Sequence, residues 1–306
     1  MISVVLLIFG GIAVGYMLRN MRLSWIGHVV TALIWCLLFV LGLQVGGNRE
    51  IVDNFARLGG EAIFISLCGI LGSALFAKVL WKRVSGSDAA AKKEDGDDIQ
   101  SGSLFALLRG SIVIVGFFVA GVTVAMCGIL TYDVVGDGVE IFTLGALMFA
   151  VGVSVGNDDP WQRFRSLTPL MLLLPLCTIL GTVAGSALGS MFLPWRSATD
   201  CLAVGSGLAY YSLSSIFITE YKGAELGTVA LLANLSRELI TLLAAPLLVR
   251  WFGKFAAISS GGATTMDTTL PVILSVSGKD MVAIAVFHGF VCDFSVPFVV
   301  TLWCSL

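Results

Sequence analysis

The chain has 306 residues, of which 57% are hydrophobic and only 12% are charged. Soluble globular chains are about 45–50% apolar and about a quarter charged, so this composition excludes an ordinary soluble globular protein. The formal net charge of −2 and the scattered basic residues give no indication of nucleic-acid binding.

Apolar runs recur along the whole chain, and runs of about 18 or more residues are typical of helices that cross a bilayer. We therefore predict an all-α polytopic membrane protein with about eight transmembrane helices and two re-entrant or discontinuous segments, built from inverted repeats. No basic residue precedes the first run, so we expect no signal peptide. The predicted crossings are Ile2–Leu18, His28–Val45, Ala62–Trp81, Leu104–Cys127, Ile141–Val155, Leu167–Phe192, Leu226–Val249 and Met281–Trp303.

One segment between crossings is neither apolar nor amphipathic. Val84–Ser103 ("VSGSDAAAKKEDGDDIQSGS") is small, polar and charged, which predicts a flexible cytoplasmic linker. It separates a first three-span repeat, 1–83, from a second, 104–198, and residues 199–306 form the predicted substrate-binding core. The seven cysteines contain no CxxC pair, so we expect apolar packing residues, with neither a metal site nor a cofactor.

The basic residues of the short loops predict the orientation, because Lys and Arg favour the cytoplasmic side. The loop after the fourth crossing is acidic, whereas Arg49 and Arg57 count against the assignment but are outnumbered. We therefore expect both termini on the outside. The basic residues that follow odd-numbered crossings are Arg19, Arg22, Lys82, Arg83, Lys92, Lys93, Arg163, Arg165, Arg250 and Lys254.

The first six crossings contain an internal repeat. Motifs in crossings 1–3 return in crossings 4–6, and three crossings per copy mean that the two copies run in opposite senses through the membrane. The clearest pair is "LCGILGS" with "LCTILGT". The matched pairs are Leu67–Ser73 with Leu176–Thr182, Leu38–Asn48 with Met148–Asp158, and Leu7–Gly15 with Val113–Gly121.

A second repeat lies in the last hundred residues. "GSGLAYYSLSSIF" (Gly205–Phe217) aligns with "SSGGATTMDTTLP" (Ser259–Pro271), and a long apolar span follows each. If each segment crosses, there are ten spans and the pair is parallel. We favour re-entrant segments, at about 202–219 and 255–276, because both are rich in glycine and hydroxyl residues. Broken elements in inverted repeats are typical of secondary transporters, although small residues also serve ordinary helix packing.

Ionisable residues inside these apolar segments are candidates for the site, since a charge at mid-bilayer costs at least about 2.5–3.5 kcal/mol. Asp267 lies in the second small-residue segment and Glu238 in the seventh crossing. Two such carboxylates can bind a cation, carry protons, or do both in competition. The other candidates for substrate or proton binding are Asn234, Arg237, Tyr211, Ser212, Thr265, Thr268 and His288.

Several of these candidates have structural explanations that the sequence leaves open. Asn234 stands one helical turn before Glu238 and shares its helix face. Arg237 is equally explained as a counter-ion for a nearby acid, and His288 as a hydrogen-bonding residue between helices. Asp293, in the eighth crossing, either pairs with Arg237 or belongs to the site.

Four ordered motifs in the last hundred or so residues resemble the LysO family of bacterial lysine exporters, and the remaining chain resembles it in layout. The motifs are "GLAYYSLSSIFITE" (Gly207–Glu220), "LANLSREL" (Leu232–Leu239), "GGATTMDTTLPVI" (Gly261–Ile273) and "VAIAVFHGF" (Val282–Phe290). The resemblance implies a bacterial inner-membrane exporter of L-lysine and toxic analogues such as thialysine, with eight spans. It also implies two essential intramembrane acids, which fall on Glu238 and Asp267. Where the family commonly has an Asn-Asp pair, this chain has Asn234-Leu235.

We therefore predict a secondary transporter rather than an enzyme. It is expected to need no cofactor, to use the proton motive force as its energy source, and to work by proton antiport through the two carboxylates. The alternative is a sodium-coupled carrier of an organic acid. An intramembrane enzyme would need a cleavable substrate and close approach of the two carboxyls. The expected partners are L-lysine, its analogues and the lipid bilayer, and a homodimer is compatible with the sequence.

Overall fold

The computed structural model describes residues 2–19, 21, 25–47, 49–89, 104–130, 132–157 and 168–306, and every regular element in this part of the chain is helical. In a bilayer the backbone must pair its polar groups within the segment, which favours helices. Short 3₁₀ turns cover Pro169–Leu173, Gly262–Met266 and Lys279–Met281. The helices are α1 (Ile2–Met17), α2 (Ile26–Gly47), α3 (Arg49–Ala89), α4 (Leu104–Met126), α5 (Tyr132–Gly156), α6 (Leu174–Ser190), α7 (Ala198–Gly205), α8 (Tyr211–Lys222), α9 (Ala224–Phe252), α10 (Lys254–Gly261), α11 (Leu270–Ser277) and α12 (Val282–Cys304).

Five helical stretches among the described residues are long and apolar enough to cross a membrane. Shorter apolar helices of the described chain coincide with the first, fourth and fifth predicted crossings. The chain is therefore a polytopic helical membrane protein, and the number of eight crossings stays a prediction. The five long stretches are Ile26–Gly47, Leu58–Ser85, Pro169–Ser190, Ala224–Phe252 and Lys279–Cys304.

The predicted linker needs one correction at its start. We expected it to begin at Val84, whereas α3 continues to Ala89. Extending an existing helix costs much less than starting a new one, so polar residues that follow an apolar helix can remain helical. The rest of the predicted linker, 90–103, lies outside the described residues.

The chain forms two compact units. Unit 1 comprises Met1–Val52, Gly102–Leu167 and Leu270–Ala283, and unit 2 comprises Asp53–Ser101, Thr168–Thr269 and Ile284–Leu306. Most of α3 and all of α6 thus belong to the same unit as most of the last hundred residues.

In unit 1, α1 packs against α5 and α2 packs against α4. Glycines let these backbones approach closely: a Cβ on Gly11 would meet the carbonyl oxygen of Phe149, and one on Gly121 would meet that of Phe39. Gly121 follows Gly11 by 110 positions, and Phe149 follows Phe39 by the same number. The contacts therefore match Gly11 with Gly121, whereas the aligned sequence motifs matched Gly15 with Gly121. Glycines four residues apart made the one-turn shift invisible in the sequence.

In unit 2, the repeated motifs Leu67–Ser73 and Leu176–Thr182 contact each other. A Cβ on Gly72 would meet the carbonyl oxygen of Gly181, and one on Gly181 would meet that of Gly72. These glycines occupy the same position in the two motifs. The motif is thus a close helix–helix contact between α3 and α6, of the kind that small residues provide in membranes.

Candidate functional site

The first small-residue segment is a pair of helices with an irregular break between them. Helix α7 begins with a capping box formed by Ser197 and Asp200, and the break leads into α8. Lys222, at the end of α8, pairs with Asp200 at a distance of 3.7 Å. The start of α7 and the end of α8 therefore lie together. Within the break, Leu208 (φ 47°) and Ala209 (φ 68°) adopt the left-handed conformation.

Asn234 of α9 binds both sides of this first break. Its Nδ2 donates to the carbonyl oxygen of Val204 at 3.0 Å, and its Oδ1 accepts from the backbone N–H of Ala209 at 3.0 Å. Gly207 leaves the space that the amide occupies, because a Cβ there would overlap Asn234. Asn234 thus satisfies backbone groups that the break leaves without helical partners.

The second small-residue segment breaks at the position that the sequence alignment had matched. Helix α10 ends at Gly261, and Gly262 has a φ of 59°. The backbone N–H of Ala263 donates to the carbonyl oxygen of Leu208 at 2.9 Å. The two breaks therefore contact each other inside unit 2, at the aligned positions Leu208 and Gly262.

Arg237 of α9 binds the end of α10. Its Nε donates to the carbonyl oxygen of Ser260 at 2.9 Å, and its Nη2 donates to that of Ser259 at 3.2 Å and to Oγ1 of Thr182 at 3.1 Å. The last carbonyls of a helix carry its negative dipole end and lack helical partners. Arg237 is 2% exposed. These partners are two backbone carbonyls and a hydroxyl, and the ion pairs among the described residues do not join Arg237 to Asp293.

His288 and Thr265 form a second buried contact with this break. Both are 0% exposed. The Nδ1 of His288 lies 3.1 Å from Oγ1 of Thr265, and its Nε2 lies 2.8 Å from Oγ1 of Thr178 on α6. Thr265 also donates to the carbonyl oxygen of Ala285 at 2.9 Å. This geometry matches the structural explanation of His288, a hydrogen-bonding residue between helices.

Glu238 and Asp267 meet around one threonine. The hydroxyl of Thr268 donates to Oε1 of Glu238 at 2.5 Å and lies 3.5 Å from Oδ1 of Asp267. The backbone N–H of Thr268 also donates to this Oδ1, at 2.6 Å. Glu238 is 2% exposed, whereas Asp267 and Thr268 are partly buried. Two carboxylates in such a setting can hold a cation or exchange protons.

Three further candidates, Asn234, Tyr211 and Ser212, lie in or beside the first small-residue segment. The hydrogen bonds of Asn234 go to the first break rather than towards Glu238, although the two share a helix face. Tyr211 and Ser212 form the first turn of α8, where Tyr211 is partly buried and Ser212 is exposed. A role for them in substrate binding stays a prediction.

The hydroxyl residues that support the second break were not among the predicted site residues. Oγ of Ser259 lies 2.8 Å from Oγ1 of Thr178 and donates to the carbonyl oxygen of Ser73 at 3.1 Å. Thr241 reaches Ser260, Oγ1 to Oγ, at 2.6 Å. A signal was available, because Ser73, Thr178 and Thr182 all belong to the repeated motif of α3 and α6.

A second missed cluster surrounds Arg196, between α6 and α7. Its Nε donates to Oε1 of Glu61 at 2.6 Å, and its Nη2 donates to Oε1 of Glu225 at 2.6 Å. Partial burial acts to lower the pKa of Arg196, but these hydrogen bonds hold that pKa above its usual value. The cluster joins α3 to the start of α9 with a permanently charged side chain.

Comparison with known proteins adds an independent finding. The family model described as "Lysine exporter LysO" matches residues 5–89 and 115–304. The chain is 27% identical over 310 residues to "Lysine exporter LysO" of Escherichia coli (strain K12), covering 99% of both chains. It is 30% identical over 169 residues to "Putative lysine exporter" of Haemophilus influenzae, covering 55% of this chain and 86% of that protein. No solved structure matches the chain significantly.

Proposed function

The chain belongs to the lysine exporter LysO family, and from that premise we propose that it exports L-lysine and toxic analogues such as thialysine from the cytoplasm. The family is one of transporters, so export rather than catalysis is the expected activity. We assign the exporter to the bacterial inner membrane, with both termini outside.

The observation that carries this proposal is the meeting of Glu238 and Asp267 around Thr268. Both acids lie within the apolar sequence, and acids at such depth usually mark the route of a substrate or ion. The irregular backbone beside them is tolerated at membrane depth only where protein buries it or a cavity wets it. An ammonium group is the part of lysine that two carboxylates recognise.

Proton antiport supplies the energy in this proposal. A carboxylate that has taken up a proton no longer attracts an ammonium group, so protons and lysine compete for Glu238 and Asp267. Moving a cation out of a cell with a negative interior costs about 2.3 kcal/mol per charge for each 100 mV. Entry of protons through the same acids would offset this cost. The Thr268 hydroxyl has a single hydrogen, so protonation of Glu238 would free this hydroxyl to donate to Asp267.

The membrane architecture that we propose has eight crossings, two re-entrant segments and inverted repeats. The ion pair between Lys222 and Asp200 supports re-entry of the first segment. The corresponding glycine contacts of α1 with α5 and of α4 with α2 support the repeat. Access to the site would alternate between the two sides, as in other transporters with inverted repeats.

The test is lysine efflux from cells that lack their own exporters and are loaded with a lysine dipeptide. We expect efflux with the natural chain and at least about a hundredfold slower efflux with Glu238→Gln or Asp267→Asn, since each change removes one charged ligand of the substrate. Glu220→Gln, at an exposed position of α8, is the matched control and should leave efflux unchanged. Unaltered efflux in both acid variants, correctly inserted, would reject the carboxylate mechanism.

The coupling ion is tested with purified protein in proteoliposomes. An imposed proton gradient should drive lysine transport, and a sodium gradient alone should not. Transport of an organic acid under a sodium gradient, without lysine transport, would favour the alternative carrier.

A further inference from the structure

Asp293 is an acid within α12 that the arrangement around Thr268 does not use. Its Oδ1 atom is buried and accepts no hydrogen bond from a described residue. The ion pairs among the described residues do not include it either. Burial of a carboxylate oxygen without a partner costs free energy. A cation or a proton that bound there would remove this cost.

The packing of α12 brings Asp293 to the second break. A Cβ on Gly289 would meet the backbone of Met266 and the hydroxyl of Thr265, so α12 approaches the broken segment closely at this glycine. Asp293 follows Gly289 by four residues and therefore lies on the same helix face. It is close enough to Asp267 for the two carboxylates to interact electrostatically.

The surroundings of Asp293 contain a polar group but no assigned counter-ion. Tyr210, the residue before α8, lies within electrostatic range of both Asp267 and Asp293. Arg237 directs Nε and Nη2 towards the end of α10 and Thr182. Asp293 is therefore an acid at the site whose charge the described hydrogen bonds do not balance.

We infer that Asp293 is a third substrate-binding carboxylate, which binds one ammonium group of an exported diamino acid while Glu238 and Asp267 bind the other. This inference rests on the proposed export of lysine. A diamino acid carries ammonium groups at both ends of its side chain, so it is recognised by acids at two places. Glu238 and Asp267 share Thr268 and form one place. Asp293 supplies the second and selects against amino acids with one ammonium group.

The test compares three ligands by calorimetry on the purified full-length protein. L-lysine carries both ammonium groups, L-norleucine lacks the side-chain ammonium, and 6-aminohexanoate lacks the α-ammonium. Asp293→Asn should weaken L-lysine binding about tenfold or more, the scale of one charge-assisted contact. The analogue that lacks the ammonium bound by Asp293 should be unaffected, and the other analogue should weaken as lysine does. Equal changes for all three ligands, or none, would overturn the inference.

Two further arms separate this inference from the proposed function. Asp280→Asn, just before α12, is the matched control and should leave all three affinities unchanged. A natural chain that does not bind L-lysine overturns the proposed function itself. If Asp293→Asn does not fold, the natural chain decides the question: L-lysine should protect Asp293 from a hydrophobic carbodiimide, and modification at an unchanged rate would overturn the inference.

Discussion

The two breaks of unit 2 hold irregular backbone in different ways. In the first, Leu208 and Ala209 take the left-handed conformation, and the neutral amide of Asn234 binds both sides of the break. In the second, the residue with a positive φ is a glycine, Gly262, and the guanidinium of Arg237 binds the end of α10. The aligned segments therefore share the place of the break but not the chemistry that stabilises it.

The choice of a neutral amide at one break and a guanidinium at the other corresponds to the presence of acids beside each break. The first break contains no acid, and a neutral amide is sufficient to pair its free backbone groups. The second break leads directly into Asp267 and Thr268, and Thr268 binds the carboxylates of both Asp267 and Glu238. A buried guanidinium needs compensating negative charge, and the carbonyl end of α10 provides part of it. We conclude that the first segment is mainly a scaffold for the second.

Among the variants that compare the two breaks, Arg237→Gln should lower the stability of the protein most. Glutamine cannot reach the carbonyl oxygens of Ser259 and Ser260 and the hydroxyl of Thr182 together. Hydrogen bonds to charged groups contribute about 1.5–3 kcal/mol each, so we expect a loss of about 3 kcal/mol or more in stability. Thermal unfolding of the purified protein measures the loss, and lysine efflux should fall with it.

The control for this variant is Arg250→Gln, which changes an exposed arginine at the end of the same helix. Its unfolding temperature should stay close to that of the natural chain. An Arg237→Gln protein that unfolds at the natural temperature would show that the end of α10 does not depend on the guanidinium.

Gly262→Ala should have an intermediate effect, about 2 kcal/mol of destabilisation. With φ 59° and ψ −126°, Gly262 has a backbone conformation that costs a non-glycine residue about 1–3 kcal/mol, and the added Cβ would also overlap the carbonyl oxygen of Leu208. Thermal unfolding again measures the change. Gly60→Ala, in α3 with open space around the glycine, is the control and should not destabilise the protein. Equal stability of the two variants would contradict a strained contact between the breaks.

Much of this arrangement was predictable from the sequence. Apolar runs predicted the long helices because a bilayer excludes other regular structures for an isolated segment. The alignment of the two small-residue segments matched Leu208 with Gly262, where the breaks meet. The embedded acids Glu238 and Asp267 were expected at one site, and they bind the same threonine.

The partners of Asn234 and Arg237 were not predictable, for a physical reason. Asn234 and Arg237 are three residues apart and share a helix face, but that face of α9 contacts two different breaks, and spacing does not say which break each side chain reaches. Thr178 and Thr182 were visible only within a motif of small residues, which indicates packing. A hydroxyl in such a motif shows its hydrogen-bonding role only once α6 is placed against α10.

The smallest predicted change in stability has opposite signs in the two breaks. Ala209 has a φ of 68°, so Ala209→Gly removes a backbone cost of roughly 1–2 kcal/mol and adds an entropy cost of about 0.5–1 kcal/mol. We expect a gain in stability of up to about 1 kcal/mol. Ala263, the aligned residue, has no positive φ, so Ala263→Gly relieves no strain and should destabilise. Thermal unfolding of the two variants side by side should show opposite shifts. Shifts in the same direction would mean that the first break is no more strained than the second.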